Sequence, residues 1–279
     1  MTLDETVPTT EGVHARGADA VVASGVGKVF EAAGVTALDG VDLVVSAGEF
    51  VSLIGPSGCG KSTLLRLIAD LDTPSSGSLE IFGKSAKQAR IDQDYGIAFQ
   101  QAGLLPWRTV AANIELPLEL HGFSKAQRAA RSRELLDLVG LSDFGERYPD
   151  ELSGGMQQRI AIARALAEKP NLLLMDEPFG ALDEMTRERM QTELTRICAE
   201  TGAAVVFVTH SIPEAVFLSD RVVVMSPRPG RIETVVPMAL GPASERGDGI
   251  REDPAFFEMV TAVREALHRG APARGTDNR

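Results

Sequence analysis

The chain has 279 residues, a net charge of -11 and a hydrophobic share of 44%, which suits one large domain or a domain with a smaller lobe and a tail. This acidic balance argues against a broad basic face that grips nucleic acid, so no nucleic-acid partner is expected. No apolar run approaches the ~18 residues of a membrane helix, and the two cysteines, Cys59 and Cys198, indicate neither a disulfide framework nor a metal site.

The first part of the chain is predicted to be a leader followed by short strands. Residues 1–19 are polar and carry acids and prolines, without a basic start before an apolar stretch, which predicts a disordered leader and not a signal peptide. A helix is predicted at Lys61–Ala69, directly after a glycine-rich loop. Strands are predicted at Ala20–Phe30, Gly40–Val45, Glu49–Ile54, Gly77–Phe82 and Tyr95–Phe99.

The second part of the chain starts with a helical stretch over about 101–168. Val110–Leu120 and Lys125–Val139 have helical character, and the second opens with a capping box of Ser124 and Gln127. Alternation of strands and helices then resumes, which predicts a parallel sheet covered by helices. The strands are expected at Asn171–Asp176, Ala203–Thr209 and Arg221–Met225, and a helix at Glu184–Glu200.

The C-terminal segment is predicted to be a linker, a short amphipathic helix and a frayed tail. Leu240–Ile250 is rich in glycine, proline and charge, as linkers are. Within Pro254–Arg269, four apolar residues fall on one helical face, which indicates docking on the domain surface. No residue in the segment specifies a regulatory role. The four are Phe256, Val260, Val263 and Leu267.

The glycine-rich loop after Glu49–Ile54 has the spacing G-x-x-x-x-G-K-[ST] of a phosphate-binding loop. Its glycines let backbone N–H groups approach phosphate oxygens, and the helix starting at Lys61 directs its positive end at the same phosphates. Lys61 is expected to reach the β- and γ-phosphates, and Ser62 to ligate Mg²⁺, so the predicted ligands are ATP and Mg²⁺. The strand before and the helix after argue against a chance glycine-rich turn. The predicted binding residues are Gly55, Pro56, Ser57, Gly58, Cys59, Gly60, Lys61, Ser62 and Thr63.

Cys59 contributes its backbone N–H to this loop, so its thiol is not needed for binding. A thiol near a helix N-terminus is expected to be more reactive than a buried one. The sequence therefore predicts that alkylation inhibits the protein and that ATP protects it.

Two acids, Asp176 and Glu177, follow the apolar run Leu172–Met175. Asp176 at the strand end suits a position at or beside the Mg²⁺ ion. Glu177 is placed to polarise an attacking water as general base, which predicts ATP hydrolysis. Acids are also common at exposed strand ends, but the phosphate loop upstream favours the catalytic interpretation.

The octapeptide Leu152–Arg159, LSGGMQQR, decides the family, because it resembles the signature of the ATP-binding-cassette (ABC) ATPases. The order of the other elements along the chain also matches the family. Gln100 follows a strand, Ala181–Asp183 follow the acids, and His210 follows an apolar strand. The resemblance covers roughly 20–235. It implies an α/β fold of the P-loop NTPase type, with a mixed-sheet core, an antiparallel β subdomain and an inserted helical subdomain.

The resemblance implies a division into a leader at 1–19, an ABC ATPase domain at 20–238 and a C-terminal segment at 239–279. The helical subdomain would occupy about 101–168 of the ATPase domain.

The signature is also expected to form a second phosphate site. Ser153 precedes a predicted helix to about Glu168, as an N-cap residue does, and Gly154 and Gly155 leave backbone N–H groups bare. In the family these residues face the γ-phosphate held by the other subunit of a head-to-tail dimer, and the resemblance gives Asp183 a contact with that subunit. An ordinary N-capped helix is the alternative for these residues alone.

Three further site residues rest on the resemblance. Gln100 would sense Mg²⁺ and the water, and His210 would contact the γ-phosphate from the carboxyl edge of the sheet. Phe30 would stack on adenine, with a core phenylalanine as the alternative. Without the other motifs, His210 could equally be a residue that only caps the end of a strand.

Transport is implied by the stretch Leu104–Val110, which carries Trp107, the only tryptophan. In the family the helical lobe forms a groove for a short helix of a membrane subunit, whereas lobe-core packing is the alternative for this stretch. The run Leu105–Trp107, with Ser226–Arg231 later in the chain, resembles the ATPases of the nitrate/sulfonate/taurine-type importers. Importers of riboflavin and thiamin precursors share much of this pattern.

The implied partners are a second ATPase subunit in a homodimer, two membrane permease subunits and an extracytoplasmic solute-binding protein. The protein would lie peripherally on the cytoplasmic face of the cell membrane. A soluble ABC ATPase, such as one of Fe–S cluster assembly, is the main alternative, and the signature disfavours a small P-loop kinase.

Overall fold

Residues 19–269 are described by a computed structural model. The predicted leader lies outside these residues except for Asp19, which already belongs to the first strand. The predicted frayed tail, 271–279, lies outside them as well.

An antiparallel sheet forms one side of the fold. Its strands are β1 (Asp19–Phe30), β2 (Val35–Ser46), β4 (Ser76–Ile81) and β5 (Lys84–Ser85), in the order β2-β1-β4-β5. Along β2 buried and exposed residues alternate over Val41–Ser46, so Val41, Leu43 and Val45 face the core while the residues between them face water. β2 starts five positions before the predicted Gly40, directly after a tight turn at Gly34.

A mixed sheet forms the centre of the molecule, in the order β10-β9-β3-β8-β7-β6. The pairs among β3, β6, β7, β8 and β9 are parallel, and β10 joins antiparallel. Every residue of β3, β7 and β8 is buried, as in sheets covered on both faces. The strands are β3 (Phe50–Ile54), β6 (Tyr95–Ala98), β7 (Leu172–Asp176), β8 (Ala204–Val208), β9 (Arg221–Met225) and β10 (Ile232–Pro237).

Helices cover the central sheet and form a separate lobe of α3, α4 and α5, which pack on one another. The predicted capping box of Ser124 and Gln127 opens α4, and α5 ends at Ala165 and not at Glu168. α2, α7 and β10 were not predicted. The helices are α1 (Lys61–Ile68), α2 (Ala86–Ile91), α3 (Val110–Leu120), α4 (Lys125–Leu138), α5 (Gly154–Ala165), α6 (Glu184–Thr201), α7 (Ile212–Leu218) and α8 (Pro254–Arg269).

The segment before α8 is more ordered than a linker. It contains the 3-10 turns Ala243–Glu245 and Asp248–Glu252, and between them Arg246 is only 4% exposed. The predicted apolar face of α8 joins the main core, with Leu267 at its edge. Within 19–269, no helix combines the length and the apolar character that crossing a membrane requires.

Candidate functional site

The phosphate loop connects β3 to α1 and requires glycine at two of its turns. Gly58 and Gly60 have φ angles of 74° and 107°, which side chains with a Cβ rarely adopt. A Cβ at Gly60 would also lie 2.6 Å from the Leu38 side chain and 2.9 Å from the Ala37 carbonyl oxygen. The loop therefore keeps its shape only with these glycines.

Lys61 holds the loop together internally, and Ser62 ties it to the strand that carries the acids. The Lys61 ammonium is buried and donates to the carbonyls of Gly55 and Pro56, at 2.9 and 3.1 Å. The Ser62 hydroxyl donates to Asp176 Oδ1 at 2.9 Å. A cation and a hydroxyl thus lie at the start of α1, where anions are stabilised.

An open pocket lies beside the loop and collects many of the predicted site residues. It unites the loop residues with Phe30, Gln100, Glu177 and His210, which come from distant parts of the chain. The lining residues are Phe30, Val35, Ala37, Ser57, Gly58, Gly60, Lys61, Ser62, Thr63, Gln100, Glu177, His210 and Arg228.

Glu177 lies between the other two predicted catalytic side chains. Gln100 Nε2 donates to Glu177 Oε2 at 3.2 Å, and His210 Nε2 lies 2.7 Å from Oε1. These residues follow β6, β7 and β8, whose adjacency brings the three to one edge of the sheet. Glu177 has a φ of 47° and donates its N–H to Val208 O at 2.9 Å. This uncommon backbone conformation turns its carboxylate toward the pocket.

Asp176 is the buried acid of the pair and suits a metal-proximal position. Burial is the largest influence on its pKa and raises it, and the hydrogen bond from Ser62 opposes that rise. The nearby charge of Glu177 raises the pKa further, whereas Lys61 lowers it. A nearby cation would therefore favour the charged carboxylate.

Phe30 and Trp107 are both surface residues. The Phe30 ring is 39% exposed, lines the pocket and lies 5.1 Å from the Lys28 ammonium. The alternative of a core phenylalanine is therefore wrong. Trp107 is 73% exposed, so the lobe-core alternative is wrong for that residue as well.

The signature residues form a helix terminus away from the phosphate loop of their own chain. Ser153 is the N-cap of α5, and its Oγ accepts from Met156 N at 3.3 Å. Gly154 is exposed, and a Cβ there would have no neighbour within 4 Å. Within the described residues, neither Ser153 nor the two glycines that follow line the pocket. The first turn of α5 is thus a free donor surface.

Asp183 lies close to the same helix terminus. A Cβ at Gly155 would lie 3.0 Å from the carbonyl oxygen of Ala181, two residues before Asp183. The Asp183 carboxylate is the N-cap of α6 and accepts from Thr186 N at 3.0 Å. That backbone hydrogen bond is the main reason why its pKa is lowered. Asp183 remains exposed and does not line the pocket.

The expectation about the Cys59 thiol rests on a wrong premise. Its side chain is 1% exposed, and the sulfur lies 3.7 Å from the Lys61 ammonium inside the loop. Alkylating reagents in the solvent therefore have little access to the sulfur, although the Cys59 backbone N–H remains part of the loop. The Gly55 backbone lies beside the sulfur, since a Cβ there would lie 2.9 Å from Cys59 Sγ.

Arg228 was not predicted as a site residue. Its guanidinium lines the pocket and donates to Gly58 O, at 3.2 Å from Nε and 3.1 Å from Nη2. It therefore brings a second cation to the phosphate loop, beside Lys61. The run Ser226–Arg231 stood out in the sequence, but its approach to the loop depends on how β9 and β10 pair beside β3.

Comparison with known proteins gives consistent matches. A profile of the ABC transporter family matches residues 38–180. The taurine import ATP-binding protein TauB of Rhizobium johnstonii is 47% identical over 237 residues, 84% of this chain and 90% of that protein. The nitrate import ATP-binding protein NrtD of Synechocystis sp. is 44% identical over 247 residues, 87% of this chain and 92% of that protein.

A solved dimeric ATP-binding cassette, in a post-hydrolysis state with ADP and Pi, matches with a TM-score of 0.73 and 36% identity. The match covers 78% of this chain and 98% of that chain, and it confirms the predicted fold class. The import ATP-binding relatives support an importer ATPase subunit and not a soluble, non-transport ATPase. The chain belongs to the ABC transporter family and is one of its ATP-hydrolysing subunits.

Proposed function

We propose that this ATPase powers the uptake of a small anionic solute, of the nitrate, sulfonate or taurine type, through separate membrane subunits. One observation carries the reaction: the Glu177 carboxylate lies between Gln100 and His210 beside the phosphate loop. In this proposal Glu177 polarises the attacking water as general base. His210 contacts the γ-phosphate, and Gln100 senses the metal and the water.

The adenine ring stacks on Phe30, and the phosphates lie along the loop. The exposed aromatic ring at the pocket wall supports the first contact, and the buried Lys61 ammonium supports the second. Arg228 adds charge on the same side, because its guanidinium already contacts the loop at Gly58. Phosphate binding by loop N–H groups and two cations offsets the overall acidity of the chain.

The Mg²⁺ that accompanies ATP fits the donor set of this pocket. Ser62, Gln100 and Asp176 all offer oxygen atoms, which Mg²⁺ prefers, and Ser62 and Asp176 already meet at 2.9 Å. Mg²⁺ takes few protein ligands beside phosphates and water, so these oxygen donors suit a site that ATP completes. Bound Mg²⁺ neutralises charge on the β- and γ-phosphates.

The complete site is shared between two copies of the chain. Ser153, Gly154 and Gly155 of one copy, together with Asp183, would close over the ATP held at Lys61 of the other. The free donor surface at the start of α5, and its separation from the phosphate loop of its own chain, support this arrangement. A two-fold homodimer then holds two ATP molecules in equivalent sites. ATP with Mg²⁺ bridges two surfaces that otherwise repel each other through their net charge.

The dimer is proposed to act on the cytoplasmic face of the membrane, beneath two permease subunits. An extracytoplasmic solute-binding protein would deliver the solute. The exposed Trp107, in the loop between Gln100 and α3, supports a contact with the permeases. ATP closes the dimer, closure moves the permeases, and hydrolysis reopens it.

Affinity capture tests the transport proposal. Tagged Glu177→Gln, purified from detergent-solubilised native membranes in MgATP, is expected to bring multispan membrane proteins with it, identified by mass spectrometry. A solute-binding protein recovered alongside them would then be screened against nitrate, sulfonates and taurine. Recovery of soluble partners alone would overturn the transport proposal and leave the ATPase activity standing.

Lys61 provides a test of the nucleotide site. We expect Lys61→Ala to lower ATP affinity by about 100-fold or more, because charged hydrogen bonds to the phosphates are lost. Equilibrium binding of a fluorescent ATP analogue measures this change. Lys61→Met fills the buried space without the charge, so it is expected to bind as weakly as Lys61→Ala. Wild-type affinity in both variants would contradict the loop assignment.

A further inference from the structure

A chain of buried polar side chains starts at the residue before His210. Thr209 is 3% exposed, its hydroxyl donates to Glu214 Oε2, and its Oγ1 accepts from Ser211 N at 3.0 Å. Glu214 on α7 is 6% exposed and also accepts from Gln191 Nε2, at 3.0 Å. Glu214 therefore holds both neighbours of His210: its carboxylate accepts from Thr209, and its backbone N–H donates to Ser211 Oγ at 3.3 Å.

The C-terminal segment completes this chain. Arg251 Nη2 donates to Gln191 Oε1 at 2.6 Å, and the guanidinium lies 3.9 Å from the centre of the Phe217 ring on α7. Gln191 is 2% exposed, so its amide orientation depends on these two partners. With its oxygen held by Arg251, its nitrogen is directed at Glu214.

A second arginine of the segment holds the other end of α7. Arg246 Nη1 donates to the carbonyl oxygens of Val216, Phe217 and Ser219, at 2.9, 2.9 and 2.8 Å. These carbonyls belong to the end of a helix, where a cation is favourable. Because α7 begins directly after Ser211, clamping it at both ends restricts the backbone that carries His210.

The buried polar side chains also interact electrostatically with the reaction site. Glu214, Thr209 and Ser211 line the same surface depression as Glu177 and His210. Burial is the largest cause of the raised pKa of Glu214, and the charge of Glu177 adds to it, whereas the hydrogen bonds from Thr209 and Gln191 oppose the rise. The Glu214 carboxylate is therefore sensitive to the loss of either donor.

We propose that Arg251 is a positioning residue for His210, acting through Gln191, Glu214 and Thr209, and that the C-terminal segment sets the geometry of the γ-phosphate contact. The proposal rests on the function given above, in which His210 contacts the γ-phosphate. It gives the segment before α8 a role in turnover, although the segment lies outside the nucleotide pocket.

The direct test is the NMR signal of the His210 imidazole in the full-length chain labelled with ¹³C-histidine. The His210→Ala spectrum assigns the signal. We expect Arg251→Met to shift and broaden it, because Met keeps the packing on Phe217 but donates nothing to Gln191. The His121 signal, from the C-terminal end of α3, is expected to stay in place. Arg264→Ala, which removes an exposed arginine of α8, is the matched control and is expected to change nothing.

Kinetics provide the second measurement. Arg251→Met and Gln191→Met are each expected to lower kcat by about 3- to 10-fold with little change in KM for ATP. This is part of the effect of losing one charged hydrogen bond, because the bond acts on His210 only indirectly. The loss is expected to vanish in a His210→Ala background, where the positioned side chain is gone. Because turnover in His210→Ala is slow, the rates in that background are measured as single-turnover release of labelled phosphate.

The possible results separate this inference from the proposed function. An unchanged His210 signal and unchanged kcat in Arg251→Met would overturn the positioning role, whatever the role of His210. Wild-type turnover in His210→Ala would instead overturn the catalytic proposal for His210. If Gln191→Met fails to fold, Arg251→Met still decides, since its side chain is partly exposed.

Discussion

Glu177→Gln is expected to lower ATP turnover by about 10²- to 10⁴-fold while ATP affinity stays close to wild type. The reason is geometric. The carboxylate accepts from Gln100 at 3.2 Å and lies 2.7 Å from His210 Nε2. An amide keeps the size of the group and a hydrogen bond to either neighbour, but it has no carboxylate to take a proton from water. The phosphate loop and its cations are untouched.

The same variant tests the shared site. Phosphate release measures turnover, and light scattering in saturating MgATP is expected to report a stable dimer, because hydrolysis no longer reopens it. Glu258→Gln, at an exposed position on α8, is the control and is expected to behave as wild type in both measurements. A Glu177→Gln monomer at saturating MgATP would sink the shared-site proposal.

Local sequence patterns predict the parts of the site that lie within one segment. The loop from Gly55 to Thr63 and the acids at the end of β7 are predicted directly, because the residues of each motif are neighbours along the chain. The relation of Gln100, Glu177 and His210 is different, because it depends on the order β8-β7-β6 in the sheet. No local pattern gives that order, and the roles of Gln100 and His210 are expected only from the family resemblance.

The features that sequence patterns miss depend on tertiary partners. α7, Ile212–Leu218, is too short to show a helical period, and its burial comes from α8 and the central sheet. Arg246 lies in the predicted linker and Arg251 directly follows it, yet their partners include carbonyls and a side chain more than twenty residues away. The Cys59 side chain belongs to a buried apolar cluster with residues from distant strands, such as Leu38 and Met225, which no local pattern reports.

Gly154→Asp is expected to lower turnover by about 10²-fold or more while each monomer still binds ATP. The exposed first turn of α5 has room for the side chain, since a Cβ there meets nothing within 4 Å. A carboxylate at a helix N-terminus is itself stabilising, so the fold is expected to tolerate it. In the proposed dimer that carboxylate would face the γ-phosphate held by the other subunit. The two negative charges repel, and the N–H groups at the start of α5 no longer stabilise the phosphate.

Two variants at the same position separate charge from shape. Gly154→Ala adds only a Cβ into open space, and Gly154→Asn adds the size of aspartate without its charge. Both are expected to retain more turnover than Gly154→Asp, with the alanine variant close to wild type. ATP binding by the three monomers is expected to be equal, because the phosphate loop of each chain lies apart from its own α5 terminus. Wild-type turnover in Gly154→Asp would mean that this terminus does not meet the nucleotide, and equal losses in all three would mean that backbone freedom at Gly154, and not its charge, matters.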